Sequence, residues 1–347
     1  MTKSETFSLL PVNQFDHFYR GGDRIGALRH GPGGPQRPEE WLGSTTERFG
    51  QSPAGLSTLA DGRLLRDAIE ADPQMWLGSA HIERYGSSVE VLVKLLDLGQ
   101  RLPVHLHPNR AFAKEHLGLA HGKTEAWYVL DAPPGARVGV GFAEQMSLEQ
   151  VRTWVGNRDS AALLAALRTR EVKPGDAMLV PAGLPHTVQD GVFVLELQEP
   201  TDLSILLEWA DFAVDGEKDG HLDLGFDIAL QAVDLAAVSD SDLDRLVVPA
   251  EQLQGSGLHS VFPAQADPYF RAQRLNAQIE PVAVDAGFAI VLVLEGHGSL
   301  TSRDDAIDVR RGDVVLVPHG IGDWVCGAGL VAVACRPPAA EATGTAR

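Results

Sequence analysis

Cysteine is nearly absent. Only Cys326 and Cys335 occur among 347 residues, both in apolar stretches late in the chain. That excludes a disulfide framework and suits buried thiols in a reducing compartment. No apolar run approaches the ~18 residues of a membrane-spanning helix, and no basic segment followed by an apolar one opens the chain, so the cytoplasm is the expected location. Positive charge is scarce: 29 Lys and Arg stand against 47 Asp and Glu, a formal net charge of −18. Such a chain is unsuited to nucleic acid or an anionic membrane, although a single pocket can oppose the net charge locally.

What is plentiful is turn chemistry. The 36 glycines and 21 prolines are spread along the chain, as many short strands with tight turns require. The length exceeds what one compact core usually serves, which predicts two domains or one with a large extension. "VEVLVKLLDL" (89–98) is an unbroken apolar run with β-branched residues and predicts a buried strand. "LPVHLH" (102–107) alternates with period two, placing Leu102, Val104 and Leu106 on one face and His105 with His107 on the other. "NRAFAKEHLGLA" predicts a short helix, and "EAWYVLDA" (125–132) and "VGVGF" predict further strands. "SLEQVRTWVGNRDSAALLAALRTR" (147–170) has helical spacing, with Ser147 as N-cap, Gln150 three residues on, and a break at Gly156–Asn157.

An internal echo sets the architecture. "VKPGDAMLVPAGLPHTV" (172–188) and "VRRGDVVLVPHGIGDWV" (309–325) share G-D-x-x-L-V-P followed by a glycine turn, the mark of a duplicated β-unit. The expected fold is mainly β, two jelly-roll domains with a helical insertion in the first. The expected boundaries are 1–230 for the first domain, with its insertion at about 143–171, 231–258 for an acidic connector, 259–340 for the second domain, and 341–347 for a disordered tail.

Two histidines at i and i+2 of a strand aim both imidazoles at one side. Glu125 on a neighbouring strand and His186 at a later strand end complete three nitrogens and one carboxylate. That set suits one divalent metal, Zn first, with Mn, Fe, Co or Ni open. The plainer reading is satisfied polar residues on a half-exposed sheet, but order, strand phase and repeat position all favour a metal. His116, His121, His221, His259 and His297 lack such support and read as surface residues. His319 falls at the repeat's ligand region, yet the second copy has no H-x-H and no matching glutamate, so it is expected to be metal-free.

At these residues the chain resembles the type I phosphomannose isomerases of the cupin superfamily. "VEVLVKLLDLGQRLPVHLHPN" resembles the strand leading to that family's Q-x-H-P motif, "GKTEAWYVLDA" its G-K-T-E-x-W-Y motif, and "VKPGDAMLVPAGLPHTV" its P-G-D…P-A-G-x-x-H segment. "FYRGGDRI" and "RPEEW" are more distantly similar to its W-G-G and G-E-S-W motifs, so the likeness spans about residues 17–200. It implies two cupin (double-stranded β-helix) domains, metal ligands at His105, His107, Glu125 and His186, Lys123 reaching into the pocket, and Glu39 and Trp41 lining it. His105 stands where the family has Gln, and Pro103 where it has Ser or Thr. The segment after "LELQEP" carries no arginine where the family places one; Leu206 or a neighbour stands there.

The expected activity is a metal-dependent aldose–ketose isomerase acting through an enediol on a sugar or sugar phosphate, with recognition of the phosphate left open. Lys123 shares a strand face with Glu125 and is the candidate catalytic residue. Lys94 could point into the same barrel, and Trp127, on the face of Glu125, is a candidate pocket wall. A metal-dependent cupin oxygenase and a non-catalytic sugar-binding cupin are the alternatives.

Overall fold

The computed structural model describes residues 6–339; the tail at 341–347 lies outside the described residues. The fold is mainly β, with antiparallel sheets throughout. One sheet runs, in spatial order, Val247–Val248, Ala177–Val180, Glu125–Asp131, Phe193–Gln198, Leu92–Asp97 and Glu39–Leu42. A second runs Ile205–Leu206, His105–Leu106, His186–Val188, Arg137–Phe142 and Leu167–Glu171. Leu96, Trp127, Val129, Met178 and Val194 of the first sheet share a core with Val138, Val140 and Val188 of the second. The two faces thus close on each other as a double-sheet barrel.

The run at 89–98 is apolar without alternation because its strand is buried on both faces. Lys94 and Leu96 point into the barrel, whereas Val93 and Leu95 point outward into a core with Ile290, Leu292, Leu316 and Val333. Those partners belong to a C-terminal sheet ordered Ser8–Leu9, Val314–Val317, Ala289–Ser302, Leu330–Arg336, Arg271–Ala277 and Gly257–Ser260. An N-terminal strand therefore edges the C-terminal sheet, Ser8 pairing Leu316. The buried Arg29 reinforces this join. It donates from Nε to Glu40 at 2.9 Å, from Nη2 to the Leu10 carbonyl at 3.0 Å, and from Nη1 to the Gly312 carbonyl.

The helical stretch forms two helices, Leu148–Asn157 and Ser160–Ala166, with Ser147 Oγ accepting the Gln150 N–H at 3.1 Å. Arg158, in the left-handed region at φ 55°, separates them. The expected strand at 102–107 is shorter than predicted, with only His105–Leu106 in the ladder. Pro103 has no N–H to give, and the Val104 N–H goes to the Glu208 carboxylate at 2.7 Å instead of to a neighbouring strand. "NRAFAKEHLGLA" is a single helical turn, Arg110–Phe112, followed by a wider π turn, Ala113–Leu117. The acidic stretch at 231–258 holds a helix, Asp240–Leu246, capped by Ser239 and Asp242 in a reciprocal box. At the second copy of the repeat, the turn after Pro318 packs against Met75 and Gly78, so closely that a Cβ on Gly320 would meet Met75 Sδ at 1.9 Å.

Removing the Glu40 side chain leaves the Arg29 guanidinium buried without its carboxylate. Glu40→Ala is expected to cost about 3–5 kcal/mol, measured by urea unfolding. A loss below about 1 kcal/mol would show that the carbonyls of Leu10 and Gly312 suffice.

Candidate metal centre and its cavity

Each imidazole is held by its rear nitrogen. Nδ1 of His105 lies 2.8 Å from the Pro103 carbonyl, that of His107 2.6 Å from Leu203, and that of His186 2.9 Å from Leu184. A carbonyl can only accept, so each Nδ1 carries the proton and each Nε2 presents a lone pair. His105 and His186 are directly opposed in the ladder, and ring centroids within the trio lie 4.1–5.0 Å apart. One nitrogen from each falls within 4.8 Å of the others. Burial, joined by the neighbouring imidazoles, pushes His105 well below the usual histidine range; burial and the Lys123 ammonium bring His107 down to about 3. The rings of His105 and His107 are thus neutral near pH 7, as metal ligands must be.

Glu125 enters from the other sheet. Its Oε2 lies 2.9 Å from His107 Nε2 and its Oε1 3.3 Å from His186 Nε2. Burial opposes its ionisation, but the Lys123 ammonium, with His107 and His186, holds it well below the usual carboxylate range. Nε2 of His186 is buried with no hydrogen-bond partner, and Oε2 of Glu125 meets the Lys123 ammonium at 3.2 Å but faces the lone pair of His107 Nε2 at 2.9 Å with no proton between them. A buried lone pair left without a donor or cation costs free energy, so the donor set fits one divalent metal with three nitrogens and one carboxylate oxygen.

Lys123 sits among the same donors, Nζ 3.0 Å from His107 Nε2 and 3.2 Å from Glu125 Oε2. The cluster thus already attracts a cation. The segment is fixed by Lys123 N–H to the Pro108 carbonyl at 3.0 Å, Thr124 N–H to Glu199 at 2.9 Å, and Thr201 Oγ to the Gly122 carbonyl at 2.6 Å. A side chain at 122 would strike the Pro108 carbonyl at 2.5 Å, which is why glycine opens the motif.

A cavity of about 730 Å³ opens onto this cluster, and His105, Lys123 and Glu125 line it beside Lys94, Glu39 and Glu196. Lys94 is buried yet charged: Glu39, Asp202 and Glu196 lie 3.4, 3.7 and 3.9 Å from its Nζ and raise its affinity for the proton against the cost of burial. Glu39 accepts from Tyr19 and from Trp41 Nε1, the latter at 2.7 Å. Trp41 and Trp127, expected from sequence to line the pocket, do not line the cavity. Both are buried, and their indole N–H groups hold carboxylates in place: Trp41 holds Glu39, and Trp127 donates to Glu125 at 3.0 Å and Glu196 at 3.2 Å.

Sequence reasoning missed Glu196. It stands opposite both Lys94 and Trp127 in the ladder, and burial together with the Glu125 charge pushes its carboxyl up to about 8. The signal was present as a lone acid inside the apolar "FVLELQ". Tyr19, Asp202 and Arg48, which also line the cavity, come from segments with no strand pattern.

Residues 38–134 match the family model "Phosphomannose isomerase type I, catalytic domain". The chain is 29% identical over 278 residues to the mannose-6-phosphate isomerase of Streptococcus mutans, covering 78% of this chain and 81% of that one. It is 26% identical over 255 residues to the mannose-6-phosphate isomerase ManA of Bacillus subtilis, covering 72% and 76%. In three dimensions it superposes on the crystal structure of the mannose 6-phosphate isomerase from Bacillus subtilis with a TM-score of 0.74 at 22% identity, over 96% of this chain and 100% of that one. The apo form of the Salmonella typhimurium enzyme gives 0.71 at 15%, with the same coverage.

His107→Ala removes one imidazole and leaves Glu125 facing a void. Metal content after gel filtration is expected to fall from about one ion per chain to near zero, with the fold retained by circular dichroism; full retention would refute this ligand set. Stripping the metal with a chelator is expected to lower the melting temperature, since a ligand at 1,000 times its Kd stabilises the folded state by about 4 kcal/mol.

Proposed function

This chain belongs to the type I phosphomannose isomerase family, and from that premise we propose that it interconverts an aldose of the mannose type and its ketose at the His105, His107, Glu125 and His186 cluster. The observation that carries this reading is the set of three Nε2 lone pairs and an ionised carboxylate converging at the inner end of a sugar-sized cavity. Three nitrogens and one oxygen suit zinc. A divalent ion bound there supplies Lewis acidity toward the C1 and C2 oxygens of an open-chain sugar.

The chain's own residues then divide the work. Lys123, with its ammonium 3.2 Å from Glu125, donates to the oxygen on which charge develops as C2 loses its proton. Glu196 lines the same cavity with a carboxyl near 8, so near neutral pH it can both hold and release a proton. Lys94, tethered by Glu39 and Asp202, orients sugar hydroxyls. The burial of the three ligand rings keeps water from their rear nitrogens. Proton transfer between C2 and C1 through an enediol exchanges the migrating hydrogen with solvent whenever the carrier communicates with water.

Incubating the metal-loaded protein with mannose and mannose 6-phosphate in D₂O is expected to give the corresponding ketose with deuterium at the exchanged carbon, read by NMR. Lys123→Ala is expected to lower kcat by roughly 10²–10⁴-fold. Oxygen uptake without ketose would replace this reading with an oxygenase, and sugar binding without turnover or exchange would replace it with a binding protein.

A further inference from the structure

The cavity's cations differ in how much charge they have to spare. Lys123 is matched by Glu125, and Lys94 by Glu39 and Asp202. Arg48, half-buried on the loop that follows Glu39–Leu42, is the one arginine lining the cavity among the described residues. Nearby arginines are paired with carboxylates, Arg37 with Asp16 at 3.1 Å and Arg66 with Glu47 at 2.9 Å. Arg48 has no such partner among the described residues. Its guanidinium lies over the Phe15 ring at 4.8 Å and donates once, from Nη1 to the Asp16 carbonyl at 3.2 Å.

Phe15 in turn packs edge-on against Trp41 at 5.1 Å, and Lys94 lies 4.6 Å over Trp41. An aromatic pair therefore joins the guanidinium to the Lys94 end of the cavity. The loop itself is anchored: the Phe49 N–H binds Asp202 at 3.2 Å, and Asp202 also faces Lys94. A guanidinium oriented by a ring face and one hydrogen bond, with most of its five N–H donors uncommitted, is preorganised for bidentate recognition of an oxyanion.

We infer that Arg48 receives the phosphate of an aldose phosphate whose carbonyl end lies at the His105–His107–Glu125–His186 cluster, which makes it the residue that sets phosphate specificity. This rests on the isomerase reading for the orientation of the sugar, and it places an arginine where the segment after Gln198 offers none. Exposed carboxylates on the 213–223 segment, Asp215, Asp219 and Asp223, also line the cavity. They act through water and salt, which damp their field within about 8 Å, whereas the guanidinium acts by direct contact.

The test is calorimetric titration of the metal-loaded protein with mannitol and with mannitol 6-phosphate, neither of which has a carbonyl to isomerise. The wild type is expected to bind the phosphorylated alditol at least tenfold more tightly. Arg48→Gln is expected to erase most of that preference, and Arg48→Lys, which keeps the charge and loses the fork, to retain part of it. No preference in the wild type, or an undiminished one in a folded Arg48→Gln, overturns the inference. Arg48-dependent preference in a protein that forms no ketose from mannose 6-phosphate supports the inference and sinks the isomerase reading.

Discussion

Glu125 is an anion buried where an isolated carboxylate could not remain ionised. It is kept charged by Lys123, two residues before its strand, and by imidazoles carried on the facing side of the barrel. That requirement ties the two sheets of the barrel together at one end, and the remaining structure around the site follows from it. Rear carbonyls of Pro103, Leu203 and Leu184 fix the three rings. Trp127 holds Glu125 from behind, and Glu196 takes the proton that a second carboxylate beside Glu125 cannot easily give up.

One row runs across four strands beneath the cavity: Trp41, Lys94, Glu196 and Trp127 are successive partners in the ladder, and of these Lys94 and Glu196 line the cavity. Placing a cation and an acid side by side between two buried indoles gives a row that is polar toward the cavity and apolar toward the core. Its outer face is committed elsewhere, since Val93, Leu95 and Leu195 pack into the core shared with the C-terminal sheet. The C-terminal half thus acts on the site indirectly, by burying the outer face of the strands that carry Lys94 and Glu196.

Much of the site was legible from sequence because a strand's period of two declares which side chains share a face. His105 with His107, and Lys123 with Glu125, could be grouped that way, and the duplicated G-D-x-x-L-V-P segment pointed to His186. Register across strands is not written locally. The pairing of Lys94 with Glu196, and the second carboxylate that Trp127 reaches at Glu196, depend on partners more than sixty residues away, whereas the i, i+2 contacts of Trp41 with Glu39 and Trp127 with Glu125 are local but are not marked by any sequence pattern. Arg48 lies in a loop with no periodicity, so nothing nearby marked it. The strand at 102–107 was overextended in prediction because Pro103 and the side chain of Glu208 divert its backbone bonds.

The account stands or falls on four donors meeting one cation. X-ray absorption at the edge of the bound metal is the most direct measurement. It is expected to show three imidazole nitrogens and a carboxylate oxygen at about 2.0–2.2 Å, with the multiple-scattering pattern of three histidines. A shell made only of oxygens, or one imidazole at most, would place the metal elsewhere and contradict the site.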